Sequence, residues 1–64
     1  MNGSDTEQRA RMNQAERIVS IQADCTIDEA LAEITERAKA LSRTLDDIAT
    51  GVVAHRIWFR QSAF

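Results

Sequence analysis

The stretch TIDEALAEITERAKAL, residues 26–41, decides how this chain folds. Thr26 followed three positions later by Glu29 is a capping-box pattern: the threonine hydroxyl accepts from the Glu29 amide while the glutamate reaches back. Asp28 and Glu29 also suit the positive end of the helix dipole. Ile27, Ala30, Leu31, Ile34, Ala38 and Leu41 then recur at steps of three and four, which is one face of an α-helix. Glu29, Glu33, Glu36 and Lys39 fall opposite. The spacing predicts a helix over 27–41 with its apolar face in a core.

Downstream, Ser42-Arg43-Thr44 is a tight link. Thr44 caps the next helix and Asp46 and Asp47 occupy its first turn. Leu45, Ile48, Ala49, Val52, Val53 and Ile57 form a second helical stripe, which predicts a helix over 45–59. Gly51 interrupts it at a cost of ~1 kcal/mol against Ala, and marks either a close helix crossing or a harmless surface position. Upstream, Asp24-Cys25 is a connector. Met12, Ala15, Ile18, Val19 and Ala23 predict a helix over 5–23, capped by Ser4 or Asp5. Its first half, Thr6 to Arg11, is polar apart from Ala10, so it either frays or pairs with a partner helix.

Two short links imply consecutive, roughly antiparallel neighbours. The expected fold is all-α, a small three-helix bundle spanning 5–59. Residues 1–4 are expected to be a flexible start and 60–64 a tail.

A chain of 64 residues supports one domain with a marginal core. One cysteine excludes an intramolecular disulfide, and one Cys with one His cannot supply a structural zinc site. No metal or other cofactor is expected. No apolar run approaches the ~20 residues of a membrane span, and the polar start Met1 to Asp5 carries no signal-peptide core. The expectation is a cytoplasmic protein with no membrane partner. The net charge of −2 speaks against a uniformly basic nucleic-acid binder.

Nothing resembles a catalytic constellation, so no catalytic residue, small-molecule substrate or enzymatic activity is expected. His55 is the only histidine, and a nucleophilic triad would require Cys25 beside it with an orienting carboxylate. Cys25 precedes a helix N-terminus, where a thiol pKa can fall; a half-buried turn residue is the plainer reading. Asp24, Asp28, Glu29, Glu33 and Glu36 give residues 24–36 a charge of −5, read as a solvated acidic face. Positive charge gathers elsewhere. His55, Arg56 and Arg60 flank Trp58 and Phe59, and arginine beside an aromatic ring can hold phosphate and stack a base. Such an aromatic pair is more often an anchor packed on the bundle or in a dimer seam, and Met12 is read as an interface residue with it.

Residues 14–53 carry a fuller pattern. Ala15-Glu16-Arg17-Ile18-Val19-Ser20 is followed by the turn Cys25-Thr26 and by Asp28-Glu29-Ala30-Leu31. Ala38 is the small residue of the second helix. Ser42-Arg43-Thr44-Leu45, Asp47-Ile48-Ala49 and Val52-Val53 complete it. This resembles the ANTAR domain, the three-helix RNA-binding module of bacterial transcription antitermination regulators. Glu16 stands where that family usually has Lys, Arg17 where it has Gly, and Ser20 where it has Met. The resemblance implies binding of RNA stem-loops, with Arg43, Ser42, Thr44 and Arg56 as contacts. Trp58, Phe59 and Met12 are expected at an interface with a second copy or a partner helix. The alternative expectation is a non-catalytic protein-interaction or dimerisation module without RNA contact. A helix-turn-helix DNA binder fits less well, because no basic recognition helix follows Ala49.

Overall fold

Thr26 does what its position demands. In the computed structural model, which describes residues 3–59, its hydroxyl accepts from the Glu29 amide at 3.0 Å and its own amide donates to the Glu29 carboxylate at 2.9 Å. The helix so started, α2, runs Ile27–Leu41; α1 runs Gly3–Ala23 and α3 runs Leu45–Val53. There is no strand among the described residues. Thr44 caps α3 by accepting from the Asp47 amide at 3.0 Å.

All three helices end in one way. Asp24, Ser42 and His55 take left-handed backbone, with φ of 56°, 56° and 61°. The amides that follow turn back: Cys25 to the Ser20 carbonyl, Arg43 to Ala38 and Arg56 to Gly51. These are Schellman-type endings, and each places a non-glycine residue where glycine is the usual choice.

That ending corrects the expected third helix. The stripe to Ile57 suggested helix to residue 59, but α3 stops at Val53. Residues 54–59 leave the helix and fold back as a strap. The His55 amide donates to the Val52 carbonyl and the Ile57 amide to Gly51, so the helix end is closed by its own chain. At the other terminus α1 begins two residues earlier than expected, which places Ser4 and Asp5 inside it rather than at its cap. Of the expected flexible start, Gly3 and Ser4 are helical and residues 1–2 lie outside the described residues, as does the expected 60–64 tail.

Two long-range contacts fix the arrangement. The Arg11 guanidinium pairs with Asp46 at 2.9 Å, which sets the start of α3 beside the middle of α1. The Phe59 amide donates to the Gln22 side-chain oxygen at 2.8 Å, which sets the strap beside the end of α1. So α3 runs alongside α1 in the same sense, α2 runs back against both, and each helix touches the other two. Residues 6–10 of α1 are exposed, ahead of the level at which Arg11 meets α3.

The core consists of Ala15, Val19, Ala30, Ile34, Ala38, Ile48, Ala49, Val52 and Phe59. Four of these nine are alanine, and small residues let helix axes approach closely. The expected apolar face of α2 is only half used. Ala30, Ile34 and Ala38 are buried, whereas Ile27, Leu31 and Leu41 are exposed, as is Leu45 at the start of α3. Ile27 and Leu41 are the first and last residues of α2, and α3 has only nine residues against its fifteen; Leu31 lies within the helix, next to the buried Ala30.

Candidate nucleic-acid interface

Arg43 and Arg56 are thirteen positions apart and are brought to one place by two helix endings. The left-handed turn at Ser42 swings Arg43 off the end of α2, and that at His55 swings Arg56 off the end of α3. Both line a shallow groove of about 320 Å³ whose floor is Leu41, Ile48, Gly51 and Ile57, with Asp47 as its one acidic residue. Neither guanidinium has a hydrogen bond or ion pair with another of the described residues. Two guanidinium groups without a partner among the described residues, over an apolar floor, suit an anion joined to something flat, such as a nucleotide.

The other expected contacts have structural duties. Ser42 is the left-handed residue that ends α2, and its amide donates to the Lys39 carbonyl. Thr44 is exposed, but its hydroxyl oxygen serves as the cap of α3. Both shape the loop that carries Arg43.

The expected interface residues are separated. Phe59 is 4 % exposed and lies in the chain's own core, with the Arg37 guanidinium carbon 4.3 Å from its ring centroid. It is an anchor of the bundle and, in this arrangement, is not open to a partner. Met12 is half-buried against the same core. Trp58 is 51 % exposed and lies 6.0 Å from the His55 ring, with the planes inclined at 34°. Arg60 lies outside the described residues.

A second depression, of about 520 Å³, lies on the α1–α2 turn and is lined by Asp24, Cys25, Glu29, Glu33, Arg37 and Phe59 among others. Partial burial, and then Glu29, Glu33 and Asp24, push the Cys25 thiol above its ordinary pKa. The lowered pKa that a helix start allows is therefore not found: burial, and after it the neighbouring carboxylates, move the thiol the other way. Cys25 lies here and His55 against Trp58, with no hydrogen bond between them. Among the described residues no group of His, Cys, Asp and Glu is arranged to hold a metal ion, and no helix is long and apolar enough to cross a membrane.

Sequence reasoning missed Gln22, which ties down the strap, and Asp47, which enters the groove. Gln22 carries no local signal, since it matters only once Phe59 arrives. Asp47 read as a first-turn helix residue, and it is that as well. No family model, curated protein or solved structure matches the chain.

Proposed function

We propose that this chain is an ANTAR-like RNA-binding domain that acts in the cytoplasm in transcription antitermination by holding RNA stem-loops. The observation that carries this reading is the shared groove of Arg43 and Arg56, two cations without partners among the described residues above an apolar floor. The resemblance across residues 14–53 supports the same reading and supplies the class of RNA. Loop nucleotides are unstacked, so their bases are open to an apolar surface while their phosphates meet arginine. The net charge of −2 fits such local recognition: the acidic face of α2 keeps the domain from binding nucleic acid indiscriminately.

The test is a titration of hairpins with randomised six-nucleotide loops. Arg43→Ala and Arg56→Ala each weaken binding at low salt, and each lowers the salt slope by about one. Affinity and slope unchanged in both variants would remove the groove from the function.

A second reading rests on different residues. Ile27, Leu31, Leu41 and Leu45 stand 40–51 % exposed, and residues 6–10 of α1 are exposed as well. These favour a helical interaction or dimerisation module. Sedimentation across protein concentration separates the two: a strict monomer that binds hairpins supports the first alone.

A further inference from the structure

We infer that Asp47 is the specificity-determining residue of the Arg43–Arg56 groove: its carboxylate accepts from the N–H groups of an unpaired base, so the groove takes a loop and turns away a duplex. The inference rests on the RNA-binding reading and adds to it the residue that separates loop from stem.

Arg43, Arg56 and Asp47 line one groove. Among the described residues, their guanidinium groups and carboxylate pair neither with one another nor with any other side chain. The neighbouring acid is engaged elsewhere: Asp46 holds Arg11 of α1 at 2.9 Å. The Asp47 amide donates to the Thr44 hydroxyl oxygen, so the cap of α3 fixes the backbone that presents the carboxylate. The start of a helix favours acids, and Asp46 already supplies one there. The helix accounts for an acid in this turn, but not for a second one in a groove with two cations.

A groove that held phosphate alone would gain nothing from a carboxylate, which repels the anion that two arginines attract. Discrimination is another matter. It depends on the difference between two affinities and is often set by a repulsive group. Every RNA base carries at least one N–H donor on its Watson–Crick edge. In a stem those donors are taken by the opposite base; in a loop they are free to be read. A stem offers the groove mainly phosphate oxygens, which Asp47 disfavours. A splayed loop nucleotide offers its base to Asp47 and its phosphate to Arg43 and Arg56, above the apolar floor.

The experiment measures the affinity of the full chain, at one fixed salt concentration, for three RNAs: hairpins with a randomised six-nucleotide loop, the same stem with an abasic loop, and a fully paired duplex. The parent binds the intact loop more tightly than the other two. Asp47→Asn lowers the ratio of intact-loop to duplex affinity about tenfold, through weaker loop binding and tighter duplex binding. It does not weaken binding to the abasic loop, where there is no base to read. Asp47→Glu keeps the charge and retains more of the ratio than Asp47→Asn. Asp28→Asn is the control: Asp28 is an exposed acid in the first turn of α2 and lines neither depression, and its loss shifts all three affinities together. All three variants are folded at the assay temperature by circular dichroism. If Asp47→Asn leaves the ratio as in the parent while Arg43→Ala still weakens hairpin binding, this inference falls and the RNA reading stands. If Asp28→Asn lowers the ratio as far as Asp47→Asn does, net charge sets the preference and the inference is overturned. If the parent chain binds none of the three RNAs, both readings fall.

Discussion

At Gly51 the absence of a side chain lets the strap close. An added Cβ would lie 2.4 Å from Ile57 Cδ1 and 2.7 Å from Cγ1, so the isoleucine must move. Alanine is the better helix former by about 1 kcal/mol, but overpacking of this kind costs about 1–3 kcal/mol. Gly51→Ala is therefore expected to lower stability by about 1 kcal/mol in urea titration. In an Ile57→Ala background the same substitution is expected to raise stability by up to about 1 kcal/mol. Destabilisation of equal size in both backgrounds would show that the cost does not come from the strap. Neither reading open for Gly51 is what the structure shows: the residue is buried, not a surface position, and what closes on it is the returning chain at Ile57 and not a crossing helix.

At the scale of elements, α2 was legible to the residue. Its cap, its first-turn acids and its apolar period all act within sixteen residues, so neighbouring positions report on one another. Thr26→Ala removes the capping box and is expected to cost about 0.5–2 kcal/mol. A Thr26→Ser variant is expected to recover most of it, and a denaturant midpoint unchanged in Thr26→Ala would contradict this. The third helix was legible only at its start. Val53 and Ile57 keep the helical spacing, but Ile57 reaches the core from the strap instead. A four-residue step does not distinguish one more turn of helix from a reversal that returns a side chain to the same side. The reversal at His55 also lacks its usual marker, because a histidine occupies the left-handed position where glycine is expected.

For the molecule as a whole, the margin is small. Stabilities of about 0.05–0.15 kcal/mol per residue give a 64-residue chain roughly 3–10 kcal/mol in total. Phe59 is the largest side chain in the core and its amide joins the strap to α1. Truncating a buried phenylalanine costs about 3–5 kcal/mol. Phe59→Ala is therefore expected to leave a large fraction unfolded at room temperature, seen as lost far-ultraviolet ellipticity and collapsed amide dispersion. Phe59→Leu is expected to retain the fold with a lower melting temperature. A Phe59→Ala protein that melts with the parent would show that the strap does not contribute to the core.

The sequence by itself determined the class of fold, the starts of two helices and the separation of an acidic α2 from a cluster of cations near the carboxyl end. Caps, dipoles and periodicity are local, so a single chain reveals them. Only the tertiary structure decided which apolar residues are buried, because that depends on what packs against them: Ile27, Leu31 and Leu41 share the stripe of Ala30, Ile34 and Ala38 yet stand exposed. It also decided that Phe59 faces inward and Trp58 outward. And it brought Arg43 and Arg56 to one groove, since two helix endings thirteen residues apart meet only after the bundle has closed.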